Sequence, residues 1–326
     1  MDSVFDYLLT APLYETPLES VADAWARHRM AAARFEKPLD VAIAGGFGAD
    51  RLGYAFLSGY QEALRALVPG LSAEELVAVA ATEAGGAHPS AIRTELVETA
   101  GGWTVRGTKS FTTLGIMARR VLVIATTGVA ADGRSLLRAA LVDIDQPGVT
   151  VTNQPPLPFA PEIPHATVTF ADARAQPLPG DGYADFLKPF RTIEDVHVLA
   201  AALGWLVRVA RAGSWPRSTL QQLLAAVAAL RGLELDRPTS PGVHIALGGL
   251  LEQFDRLPAE LDSLWRLADP VDRDRWERDR PLLGTAGRVR VQRLDAAWRS
   301  VVVTAAPDGE ANYPGNGERA SAKGGS

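Results

Sequence analysis

Apolar residues in this chain recur at a helical period, then at a strand period, then at a helical period again. That order calls for a small β unit held between two helical ones. Near the N-terminus "SVADAWARHRMAAARF" places Val21, Trp25, His28 and Ala32 at helical spacing, and "LGYAFLSGYQEALRAL" does the same with Tyr54, Leu57, Ala63 and Leu64. From "GGWTVRGTKSFTT" the pattern alternates. "RRVLVIATTG", "SLLRAALVDI", "GVTVTNQ" and "HATVTFAD" follow as short strand-like runs with Gly and Pro between them. Short strands with turns at near-regular intervals predict a small β-barrel or sandwich. Helical period returns in "TIEDVHVLAAALGWLVRVARA", "STLQQLLAAVAALRGLEL", "GVHIALGGLLEQFDRLPAELDSLWRL" and "DRWERDRPLLGTAGRVRVQRLDAAWRSVV". Their apolar stripes need one another, so a four-helix bundle is the economical packing, with Pro281 kinking or breaking the fourth helix. The expected fold class is α+β: an N-terminal helical domain (1–78), a central small β-barrel or sandwich domain (79–183) and a C-terminal four-helix bundle (184–303). The Gly-, Ser- and Pro-rich tail (304–326) is expected to be disordered.

Composition excludes several function classes. No run approaches the ~20 uninterrupted apolar residues of a membrane span. The acidic start "MDSVFDYLLTAPLYETP" lacks the basic region of a secretory signal. There is no cysteine, which removes disulfides, thiol catalysis and cysteine metal sites and suits a cytoplasmic protein. Net charge is −5 with the two signs interspersed, and no concentrated basic face offers itself to nucleic acid.

Three stretches imitate known motifs. "DVAIAGGFGADRLG" (40–53) imitates a dinucleotide-binding turn, but Arg51 stands where G-x-G-x-x-G needs its last glycine, and no second strand follows at the right distance. "GWTVRGTKS" (102–110) imitates a P-loop, but Thr108 separates the glycine from the lysine that must reach the phosphates. Glu194-x-x-His197 imitates half of a di-iron signature; the second pair and the two further Glu are missing, so no metal is expected, and His197 reads as a satisfied interior or boundary residue.

The stretch "AATEAGGAHPSAIRTELVETAGGWTVRGTKSFTT" (80–113) carries more specific information. Thr82-Glu83-Ala84-Gly85-Gly86, then Gly101-Gly102-Trp103, then Gly107-Thr108-Lys109-Ser110-Phe111-Thr112-Thr113-Leu114-Gly115 resembles the middle domain of acyl-CoA dehydrogenases. "VDIDQPGVTV" (142–151) and "ATVTFADARAQPLPGDGY" (166–183) resemble that domain's closing strands. The resemblance covers roughly residues 40–300, good in the β unit and thin in the bundle. It implies FAD, with its isoalloxazine ring against the β domain. By position, Thr82 would hydrogen-bond the pyrimidine end, Phe111 shield one face, and Thr113 reach the N5/O4 edge. A flavin needs donors along its polar edge and a flat apolar partner, which suits these residue types. Each residue taken singly also reads as an ordinary sheet or turn former.

The resemblance further implies a carboxylate base for an acyl α proton, and family members place it at one of two positions. In one, the Tyr-Glu-Gly-Thr motif, this chain has Leu282-Leu283-Gly284-Thr285, and Leu283 cannot act as a base. The other opens the first bundle helix, ten residues before a Leu-Gly step, and "EDVHVLAAALG" puts Glu194 there. The alternative is structural: Thr192 and Asp195 form a capping pair, with Glu194 complementing the helix dipole. Other family features are eroded. His88 lies where a substrate-side serine is usual, Arg211 is what is left of a flavin-binding Arg-x-x-Phe-Gly, and the paired glycines of "ALGGLLEQF" (246–254) sit inside a helical pattern. The expected function is FAD-dependent α,β-desaturation of an acyl-CoA or related thioester, in a homodimer, homotetramer or heteromer. The alternatives are a non-catalytic subunit paired with a complete dehydrogenase, and a flavin enzyme of this fold that uses oxygen.

Overall fold

The computed structural model describes residues 3–86 and 88–301, without the side chains of 257–260. The expectation of a disordered tail at 304–326 lies outside the described residues.

The N-terminal part is four helices: α1 (Val4–Thr10), α2 (Val21–Ala32), α3 (Pro38–Gly48) and α4 (Leu52–Leu67). Ser3 and Ser20 cap the first two, accepting from the Asp6 and Asp23 amides. From Asp40 to Gly48, α3 is buried on every side. Its glycines therefore serve packing, and the dinucleotide-like "GGFG" is a helix: a Cβ on Gly46 would overlap the carbonyl of Ala201.

Seven strands follow: β1 (Val77–Ala80), β2 (Glu95–Thr99), β3 (Gly102–Thr113), β4 (Arg120–Val129), β5 (Ser135–Asp143), β6 (Val149–Asn153) and β7 (His165–Pro177). The order is β1-β4-β2-β3-β7-β5, and β5 pairs back onto β4, which closes a small barrel; β6 lines up on β7. Val105, Val121, Val123, Val142, Val168 and Phe170 fill its interior. Gly102 turns the β2–β3 hairpin with φ +108°, in the left-handed region that glycine favours.

A π-helical turn at Gly182–Leu187 runs directly into α5 (Lys188–Ala212). Then come α6 (Arg217–Arg231), α7 (Pro241–Trp265), α8 (Pro270–Asp279), a 3₁₀ turn at Arg280–Gly284, and α9 (Gly287–Ser300). The fourth expected helix is thus broken at Pro281. Trp205, Trp265 and Trp276 stack where α5, α7 and α8 meet, with ring centroids 5.2 to 5.9 Å apart. The long α5 also runs through the N-terminal helices. It packs most extensively on α3 and α4, and Gly46, Gly59 and Gly204 mark the close crossings.

The capping reading of Thr192 and Asp195 is overturned. The helix begins before Thr192, so Thr192 and Glu194 lie in its second turn, and the Asp195 carboxylate is taken by α9. At that depth the helix dipole, which acts over the first turn, no longer governs Glu194.

Candidate functional site

The site begins where α4 grips β1. Gln61 donates to the Val77 carbonyl (2.8 Å) and accepts from the Val77 amide (3.0 Å), and the Val79 amide donates to the buried Tyr60 hydroxyl (2.9 Å). This fixes the strand that leads into Thr82. Thr82 pairs antiparallel with Phe111, and the Ser110 amide donates to the Thr82 carbonyl at 2.9 Å. The β3–β7 register slips between Lys109 and Thr112. That irregularity lets both residues point inward while Phe111 between them turns outward, 38% exposed. Thr113 stands opposite His165, whose ring lies 4.3 Å from that of Phe111. Gln154 donates to the Ser110 carbonyl and to Thr167 Oγ1, bracing the same turn from the far side. Thr82, Phe111 and Thr113 therefore converge. The two threonine hydroxyls make no hydrogen bond among the described residues, and Ile116 and Met117, a few residues further along the chain, are exposed as well.

Glu83 and Lys109 explain why the motif contains a buried charge pair. Lys109 Nζ donates to Glu83 Oε1 (2.7 Å) and to the Ile124 carbonyl (2.6 Å), and Glu83 also accepts from the amides of Arg93 (2.8 Å) and Thr94 (3.0 Å). Burial by itself would raise the Glu83 carboxyl, but the Lys109 bond and the two amides outweigh it and hold it below the usual range. Burial pulls Lys109 down to about 8 against the pull of Glu83. Removing one partner strands the other charge inside the barrel. Lys109→Met is expected to cost about 3–5 kcal/mol in chemical denaturation, and an unchanged midpoint would refute this account of the pair.

Two sequence-selected residues do not join this face. Arg211 lies about 25 Å further along α5 than Glu194, at 1.5 Å per residue. Its Nη1 donates to the Leu8 carbonyl (2.8 Å) and its guanidinium lies 5.3 Å over the Phe47 ring, so it ties α5 to the N-terminal helices. His88 is exposed; its Nδ1 meets Ser90 Oγ at 2.7 Å and caps a 3₁₀ turn at Pro89–Ala91. His197 is an interior residue, with Nδ1 donating to the Ile193 carbonyl at 2.7 Å and burial pulling the ring down to about 4.

Glu194 differs from Asp195, the one other acidic residue of α5. It makes no hydrogen bond or ion pair among the described residues, although Arg191, Arg290 and Arg293 are within electrostatic reach. Its side chain keeps some surface open while its carboxyl is densely surrounded. Burial, helped by the Asp195 carboxylate, pushes it up to about 8 against the three arginines. Asp195 next to it is saturated: Arg290 donates from Nε (3.0 Å) and Nη2 (2.8 Å), and Arg293 from Nη2. Arg290 Nη1 also holds the Leu283 carbonyl. One arginine thus joins the loop that bears Leu283 to the helix that bears Glu194. Tyr60 connects Glu194 to the β face. It packs edge-on to Phe190, one helical turn before Glu194, and feels the Glu194 charge, while its hydroxyl receives the Val79 amide.

Two apolar cavities lie in the helical region, about 350 Å³ among α5, α6 and α7 and about 270 Å³ between α7 and α9. Neither is lined by Thr82, Phe111, Thr113 or Glu194, so the geometry above, and not cavity size, locates the site.

Sequence reasoning missed His165, Gln154, Asp195, Arg290 and Arg293. His165 and Gln154 come from strands distant in sequence. The arginines lie about a hundred residues from their partner, on another helix of the bundle.

Residues 78–173 match the family model of the acyl-CoA dehydrogenase middle domain. No curated protein sequence matches the chain. Among solved structures it is similar to butyryl-CoA dehydrogenase from Megasphaera elsdenii at 14% identity, covering 88% of this chain and 91% of that one, TM-score 0.60. An acyl-CoA dehydrogenase from Geobacillus kaustophilus gives 17% identity, 84% and 90% coverage, and 0.58. A dibenzothiophene monooxygenase from Paenibacillus sp. A11-2 gives 16%, 86% and 88%, and 0.62. At such identities the likeness speaks for the fold, and the fold houses both dehydrogenases and a monooxygenase. Residues 78–173 thus match the acyl-CoA dehydrogenase middle domain, and the three-part fold of the chain is the fold of these structures.

Proposed function

We propose that this protein is an FAD-dependent oxidoreductase that desaturates an acyl thioester between its α and β carbons, with Glu194 taking the α proton. The observation that carries the reading is Glu194 itself, an unpaired, raised carboxyl joined through Tyr60 and Val79 to the strand that presents Thr82. The divisions 1–78, 79–183 and 184–303 serve in this reading as a shielding, a flavin-facing and a base-bearing domain. The residues present fit a flavin: the open Phe111 ring offers a flat apolar partner, and the unspent hydroxyls of Thr82 and Thr113 flank it. When bound, FAD supplies the acceptor for the β hydride.

The chain's own part is proton transfer and placement. An α proton of a thioester is weakly acidic, so its base must sit beside it away from bulk water with a raised pKa. Glu194 meets that condition by burial, and it must be ionised to act. kcat/KM should therefore climb about tenfold per pH unit below pH 8 and level off above it. A rate flat from pH 5 to 9 would remove Glu194 from the role.

The direct test is the absorption spectrum of the purified protein. Bound flavin should be seen, and acyl-CoA substrates of several chain lengths should bleach it without oxygen. Protein that stays colourless after incubation with FAD would end this reading. The likeness to a dibenzothiophene monooxygenase favours one second reading, in which the reduced flavin meets oxygen. Oxygen uptake coupled to a hydroxylated product would select it over desaturation.

A further inference from the structure

Glu194 is the unpaired member of a charged cluster drawn from four elements. Asp195 and Arg191 come from α5, Arg290 and Arg293 from α9, His244 from α7 and Tyr60 from α4. Arg290 commits Nε and Nη2 to Asp195 and Nη1 to the Leu283 carbonyl. Arg293 commits Nη2 to Asp195 and Nη1 to Thr192 Oγ1 (3.1 Å), and that oxygen also meets His244 Nε2 (3.2 Å). Two guanidiniums face one buried carboxylate, so one positive charge is left over. The adjacent carboxylate that would balance it is Glu194, yet it has no bond to either arginine. Fixed donors explain this. The hydrogen bonds of both guanidiniums run to Asp195, Thr192 and Leu283, and these bonds fix where the two forks lie, without a bond to Glu194.

We propose that Asp195 is a positioning residue that captures Arg290 and Arg293 and so keeps the Glu194 carboxyl free to accept a substrate proton. The inference rests on Glu194 being the base. Its physical content, that Asp195 decides whether α9's arginines reach Glu194, can be read without any turnover. With Asp195 in place the arginines act on Glu194 at a distance, and burial wins. With Asp195 made neutral, the adjacent carboxylate to which the released guanidiniums can turn is Glu194, in competition with Glu252 and Asp255 on the α7–α9 cavity. Direct pairing then favours the charged form and weakens the base, a shift of about 1–3 pH units for a carboxylate beside an arginine.

The test is an infrared titration of the C=O band of the protonated Glu194 carboxyl, identified by its loss in Glu194→Gln and recorded without substrate. In Asp195→Asn the midpoint is expected to fall by at least about one unit. Arg290→Gln should move it the other way, because one attracting cation is lost while Asp195 still holds Arg293. Asp195→Glu should restore the wild-type midpoint. Because Asp195→Asn also removes a like charge, support requires that its fall exceed the fall the same change produces in an Arg290→Gln/Arg293→Gln background; equal falls overturn the proposal. If Asp195→Asn does not fold, Asp195→Ser is read in its place by the same comparison. Equal midpoints in folded Asp195→Asn and wild type also overturn it. The acid limb of kcat/KM should follow the infrared midpoint. A titration that moves as expected in a protein without dehydrogenase activity would sink the functional reading and leave the electrostatic one standing.

Discussion

Gly46→Ala is expected to destabilise the fold by about 3 kcal/mol or more, although alanine is the better helix former. The added Cβ would overlap the backbone carbonyl of Ala201 where α3 crosses α5. Its counterpart Gly204 would put a Cβ onto the carbonyl of Ile43, so the two helices exclude side chains from each other reciprocally. Both obstacles are backbone and cannot rotate aside. The helices would have to move apart, and α3, buried all round, would lose contacts along its length. Gly249→Ala in α7 is the control. Nothing lies within 4 Å of its added Cβ, and the change should stabilise by up to about 1 kcal/mol. Urea denaturation of the three proteins decides the matter: Gly46→Ala unfolding at the wild-type midpoint would mean that the α3–α5 crossing is looser than described.

The second large effect concerns Glu194. Glu194→Gln keeps size and polarity and removes the base, so turnover should fall by about 10²–10⁴ while bound flavin and its spectrum persist. The same variant has a signature in stability. The folded carboxyl holds its proton up to about pH 8, while an unfolded one releases it near about pH 4.3. Between those values the native state binds more protons than the unfolded state, so this group's contribution is full below the unfolded pKa and is lost as pH rises through the folded one. Glutamine carries no such penalty. Melting temperatures of variant and wild type should agree near pH 4 and separate in favour of Glu194→Gln toward pH 9. A gap that stays constant across that range would show that burial does not perturb the carboxyl, and a variant with full turnover would put the base elsewhere.

Much of the β face is legible because it is local. Thr82, Phe111 and Thr113 fall within one stretch, and a hairpin and a closing barrel bring such a stretch onto one surface whatever the helices do. The lysine between them could be read as part of a motif. Its pairing with Glu83 needed the fold, because alternation makes Lys109 an inward residue and only the barrel interior decides what it meets. Arg211 shows the converse. Its place near the end of a long helix was visible, but the partner was not, and α1 takes its guanidinium. Thr192 and Asp195 have the spacing of a cap at a helix start, yet the helix begins earlier, through a π turn without a sequence mark of its own.

The sequence alone determined the helical, strand and helical character of the three parts, their order, and the break at Pro281. Each follows from the period of apolar residues or from a missing amide, and these are properties of a segment by itself. Tertiary structure alone decided that α5 threads the N-terminal helices, that the glycines of "GGFG" are a crossing point, and that Asp195 and not Glu194 receives the arginines of α9. Periodicity says which face of an element is apolar; it does not say which neighbour that face meets, and pairings between residues some hundred positions apart are settled only when the packed helices bring them within reach.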